Sequence, residues 1–120
     1  MYGPDFSMVD SQAKTEEMFR HGELEKVLLL PLEFGGQDEP GNVLYVPIGM
    51  AAIKAGIDVN IVRPLVASGK ITRYTAVPEY QGKSLIPIAI QISAWDPGQF
   101  SGSIAIWGEA LDRQPSPSPT

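Results

Sequence analysis

The 120-residue sequence predicts an α+β domain: an antiparallel or mixed sheet of about five strands, one main kinked helix packed across it, and a short helix at the N-terminus. Three observations predict it. Short runs rich in β-branched residues and bounded by Gly and Pro recur at "KVLLLPLEF", "NVLYVP", "KITRYTAV", "SLIPIAIQISA" and "SIAIWGEA". Between the second and third of these, "MAAIKAGIDVNIVRPLVASG" repeats apolar residues at helical spacing. A composition of 43% hydrophobic and 19% charged residues, with mean hydropathy −0.03, suits a chain that folds in water around one core.

Residues 1–10 read as a mobile lead-in, 11–111 as a single domain and 112–120 as a disordered Pro/Ser tail. "SQAKTEEMFRHG" reads as the short helix, with Ser11 as N-cap, Gly22 just past its end, and Val9, Ala13, Met18 and Phe19 as its apolar stripe. In "KVLLLPLEF" the unbroken Val27–Leu30 run predicts a strand buried on both faces, although Pro31 lacks an amide donor and needs an edge or a bulge. "NVLYVP" is the second strand, so "EFGGQDEPGN" (residues 33–42) falls in the connection between them.

The main helix is expected over residues 50–68, with Met50, Ile53, Ile57, Ile61 and Leu65 facing the core and Gly69 as its stop. Pro64 removes an interior hydrogen bond, which predicts a kink or two shorter helices with Pro64 opening the second. The last three strands read as an antiparallel meander. Gly82 serves a turn in "PEYQGK", the isoleucines at 86, 88, 90 and 92 line one core face, and Asp96 starts a Pro-Gly turn beside a core-capping Trp95.

The absence of cysteine from the sequence excludes disulfides, thiolate nucleophiles and Cys-ligated metals. His21 is the single histidine and sits where an imidazolium interacts favourably with a helix C-terminus. "GKS" at residues 82–84 would need glycine where Val77 stands, and it joins strands instead of opening a helix, so it is no phosphate loop. No serine-nucleophile signature is present. The N-terminus has no basic region followed by an apolar run, so a secretory leader is not expected and a cytoplasmic location is. No stretch is apolar enough to span a membrane.

The net charge of −5 is uneven, −6 over residues 1–42 and +1 over the rest. An acidic region of this kind repels nucleic acid and steers a basic partner. Within it, Glu33, Asp38 and Glu39 share the Gly-rich connection, read as a turn with a charged outer surface because their spacing matches no cation-binding loop. Tyr80, between Glu79 and Gln81 at a hairpin tip, is the kind of rigid aromatic that anchors a protein contact.

With "VLLLPLEFGG", "NVLYVPIGMAAIK" and "YTAVPEYQGKSLIPIAIQI" in view, the sequence resembles small, mostly uncharacterised bacterial proteins that look like immunity partners of polymorphic or contact-delivered toxins. The resemblance covers roughly Val27 to Glu109 and implies a single cytoplasmic domain that binds one toxin and blocks its active site. Such families share no catalytic residues, so it transfers no site.

The expected function is therefore a non-catalytic protein-binding module with Asp38, Glu39, Glu79 and Tyr80 as contacts and a basic toxin domain as partner. No cofactor or metal, nucleic acid or membrane enters this reading. One alternative is a small-molecule binding or enzymatic domain with a pocket between the 50–68 helix and the sheet, using Tyr74, Glu79 or Glu33. Another is a homodimeric structural subunit pairing through a strand edge near Pro87.

Overall fold

A computed structural model describes residues 4–113 and shows an α+β fold. The first helix, α1 (Gln12–Arg20), begins where Ser11 accepts a hydrogen bond from the Lys14 amide (3.2 Å) and ends at His21, with Gly22 at φ +76° turning the chain away. Residues 4–10 are docked on the domain, where mobility is expected from the sequence. Val9 is buried, the Phe6 ring meets Trp107 edge-on at 6.0 Å, and the Leu85 amide donates to the Val9 carbonyl (2.8 Å). Of the tail over 112–120, only Asp112 and Arg113 fall within the described residues.

Strands β1 (Leu24–Leu28) and β2 (Val43–Pro47) form an antiparallel ribbon in which Leu24 opposes Pro47 and Leu28 opposes Val43. Alternation places Val27, Leu44 and Val46 on the face turned to the core, while Phe19 of α1 packs edge-on to Tyr45 (5.1 Å) on the other. The strand expected to run through Phe34 stops at Leu28, and Leu28, Leu29 and Leu30 are half-buried, not enclosed on both faces. Pro31 explains the stop: it cannot donate to the ladder, and the chain turns into a short 3-10 segment at Leu32–Phe34.

A helical rod comes next, in three parts: α2 (Met50–Ile57), a π turn over Asp58–Val62, and α3 (Arg63–Ala67). The α2 N-terminus is satisfied from outside, because the Glu25 carboxylate of β1 accepts from the Gly49 amide (2.7 Å) and the Ala51 amide (3.1 Å). The π turn answers the proline. Pro64 has no amide for the next helical bond, the Arg63 amide reaches back to Asp58, and Pro64 then opens α3. Gly69 at φ +74° closes the rod, with the Lys70 amide bonded to the Leu65 carbonyl (2.9 Å).

The inward stripe of this rod differs from the one the sequence predicts. Met50, Ile57 and Leu65 do pack on the core, but Ile53 is 48% exposed and Ile61 41% exposed. Lys54, Asp58 and Val62 are buried in their place, one row round the cylinder. There the Tyr74 hydroxyl meets both charged side chains.

Strands β3 (Arg73–Glu79), β4 (Ala89–Trp95) and β5 (Gln99–Ala105) form the expected antiparallel meander, but as a separate sheet, so the five strands divide into two and three. Rows Tyr74–Ala94–Phe100, Ala76–Ile92–Gly102 and Pro78–Ile90–Ile104 face the core; Thr75–Ser93–Ser101 and Val77–Gln91–Ser103 face outward. The outer strands β3 and β5 differ: β3 carries Arg73, Pro78 and Glu79, whereas β5 has neither a charge nor a proline.

The stretch expected to begin β4 at Ser84 is instead a buried extended segment. Ile86, Pro87 and Ile88 are enclosed, the Ser84 hydroxyl donates to the Phe6 carbonyl (2.7 Å), and the Trp107 indole donates to the Ile86 carbonyl (2.9 Å). Pro87 therefore lies on no free edge, which removes the pairing site expected there. Similarly, "SIAIWGEA" is strand only to Ala105, with a 3-10 turn at Gly108–Asp112. Trp95, expected to cap the core, is 40% exposed, and Trp107 is the buried indole. One cluster joins Leu24, Val27, Leu44 and Val46 of the ribbon to the isoleucines of the second sheet and to Trp107.

Candidate functional site

Asn42 clasps the connection over residues 33–42 to the end of β1. Asn42 Oδ1 accepts from the Leu30 amide (2.8 Å), and its Nδ2 donates to the carbonyls of Leu30 (2.9 Å) and Gln37 (3.0 Å). Gly36 passes so close that a Cβ there would stand 1.8 Å from the Leu30 oxygen. This clasp presents Asp38 and Glu39 outward beside α1 and the chain that leaves β3.

Asp38, Glu39 and Tyr80 line a groove of about 410 Å³ whose remaining walls include Gln12, Lys26, Tyr45 and Leu85. Four stretches separated in sequence, at residues 12–15, 26, 38–45 and 80–85, thus meet there. Asp38 is paired with Lys26 Nζ (2.7 Å), and that hydrogen bond raises the lysine above its ordinary value. Glu39 is exposed, and Tyr80 is 49% exposed with its phenol pushed up by burial of the remainder. Glu79 does not line the groove. Its carboxylate is held by the two terminal guanidinium nitrogens of Arg113 (2.9 Å each) and by Gln91, which lowers it to about 2.

The residues of the ligand-binding alternative fall elsewhere. Glu33 is paired with Arg63 across the mouth of a second concavity of about 420 Å³, lined by β1, the Pro31–Glu33 turn and the rod. In that concavity, Lys54 Nζ meets Asp58 Oδ2 (2.7 Å) and the Tyr74 hydroxyl (2.9 Å), while Tyr74 donates to Asp58 Oδ1 (2.8 Å). Lys54 is 2% exposed; burial lowers it against the opposing pull of Asp58. Tyr74 is pushed above its ordinary value by burial and by the neighbouring carboxylate.

Lys54 and Asp58 are the functional candidates that sequence reasoning missed. Their signal was a lysine four residues before an aspartate, legible as a helix pair but indistinguishable from a surface pair without Tyr74. Ser84 of "GKS" is buried and bonded to Phe6, and His21 is the exposed end of α1. Among the described residues, no three His, Asp or Glu side chains converge as a metal site, and no helix is long and apolar enough to cross a membrane. Comparisons with protein-family models, curated proteins and solved structures find no match to this chain.

Proposed function

We propose that this chain is a non-catalytic protein-binding module of the cytoplasm, an immunity-type protein that neutralises a basic toxin domain by covering its active site. The observation that supports this most is the meeting of Asp38, Glu39 and Tyr80 at one groove. A half-exposed tyrosine that shares a groove with Glu39 combines a large, low-entropy contact with negative charge that favours a cationic partner. Tyr45 and Leu85 add apolar surface to the same rim, and the negative charge of residues 1–42 extends the field beyond it. Glu79 lies outside the groove and is left out of the proposed contact; within it Asp38 shares its charge with Lys26, so Glu39 is the groove carboxylate that stands outside an ion pair among the described residues.

Capture from a lysate of the source organism, with the tagged protein as bait and a salt-titrated wash, tests this reading. The expected result is one stoichiometric basic partner, retained by the wild type and lost from Asp38→Lys/Glu39→Lys. Its association with the double variant should be slower and less salt-dependent. A partner held equally by the double variant would remove the groove from the mechanism.

A further inference from the structure

The cluster beneath the second concavity has no place in that function, and stability does not account for it. Enclosing a lysine and an aspartate removes both from water, and apolar residues of similar volume do as well or better in such positions. Here the pair is enclosed next to a π turn, a feature that recurs where helices carry function.

The hydrogen bonds leave one donor over. An ammonium has three N–H groups, and among the described residues Lys54 Nζ finds two acceptors, Asp58 Oδ2 and the Tyr74 hydroxyl. Both aspartate oxygens and the tyrosine proton are already used. Lys54 and Asp58, with Glu33 and Arg63, supply the polar groups of a concavity of about 420 Å³ whose other walls are apolar, from Val27, Leu28, Pro31 and Leu32 opposite Ala51 and Ala55. That volume falls within the ~300–1,000 Å³ of small-molecule sites.

Charge selects the ligand class. Lys54 is balanced by Asp58, and Arg63 at the mouth by Glu33, so the site offers a hydrogen bond without a net field. From this we propose that the cavity binds a small neutral carbonyl compound, an amide, ester or ketone with a short apolar chain, its oxygen accepting the third N–H of Lys54. The apolar chain lies along Val27, Leu32 and Ala55. A carboxylate would meet Asp58 and Glu33, and an amine brings a second donor where an acceptor is needed.

Titration of the isotope-labelled protein with hexanamide, followed by amide chemical shifts, tests the assignment, with hexanoate and hexylamine as comparison probes. Hexanamide should give saturable shifts at residues 27–33 and 51–58 that neither comparison probe reproduces. Ala55→Trp fills the mouth without touching the ion pair and should weaken binding about tenfold or more. Lys54→Met/Asp58→Asn removes the donor without leaving a buried charge and should abolish the shifts. Absence of saturable shifts with hexanamide, tighter binding of hexanoate or hexylamine, or unchanged affinity in either folded variant would overturn the proposal.

Discussion

At the scale of single residues, the enclosed Lys54–Asp58 pair occupies the inward row of the rod where the sequence pattern predicts Ile53 and Ile61. Lys54→Met leaves Asp58 buried without its cation and should cost about 3–5 kcal/mol in urea unfolding, while Lys54→Met/Asp58→Leu should recover most of that loss. Equal destabilisation in the two variants would mean that the pair itself, not the orphaned charge, is what stability requires. Glu79 gives a pH test. Its folded value of about 2 lies below the ordinary 4.5, so its contribution is complete above 4.5 and is lost as pH falls towards 2. The difference in urea midpoint between wild type and Glu79→Gln should therefore shrink across that interval, and a constant difference would refute the linkage. The sequence showed Lys54 and Asp58 at helical spacing but could not show burial, because the hydroxyl that pairs with them belongs to Tyr74, on a strand sixteen residues beyond Asp58. Asp38, Glu39 and Tyr80 were legible as loop residues with the right chemistry; their common groove depends on a tertiary contact that local pattern does not encode.

At the scale of elements, prolines and one asparagine set where regular structure ends. Asn42 replaces the ladder that Pro31 interrupts, and Asn42→Ala removes three hydrogen bonds to the backbone. A loss of about 1–3 kcal/mol is expected, with the Leu30 amide losing protection from hydrogen exchange while that of Val46 keeps it. Full protection at Leu30 would show that the clasp is not what closes the connection. The sequence marked Pro31 and Pro64 as interruptions, and both are. The local geometry at each was not legible: a 3-10 turn after one and a π turn before the other, each chosen by where the displaced amides find carbonyls. The strand in "KVLLLPLEF" ends earlier than its pattern predicts for the same reason, since an apolar run reports burial without reporting hydrogen-bond geometry.

At the scale of the whole molecule, the ribbon and the three-stranded sheet share one core, so neither has an apolar face to keep if the other opens. Unfolding should be a single transition, with far-UV circular dichroism and tryptophan fluorescence giving the same midpoint. Trp95→Phe should retain a blue-shifted emission from the enclosed Trp107, whereas Trp107→Phe should leave only the red-shifted emission of an exposed indole. Separate midpoints would indicate that ribbon and sheet melt independently. The meander was legible because its strands are adjacent in sequence and joined by Gly and Pro turns. The division into two sheets was not, because alternation identifies a strand's faces and says nothing of which strand lies beside it.

The plain outer strand β5 has a consequence for how folded copies behave when crowded. Seven residues without a charge or a proline offer backbone groups to any neighbour, while Arg73, Pro78 and Glu79 guard the opposite side of the same sheet. Concentrated solutions should scatter light through reversible strand-to-strand association at β5, and Ser103→Lys, on the solvated face, should suppress it with little change in unfolding midpoint. The colloidal limit of this molecule is then set by an edge that neither its acidic surface nor its core protects.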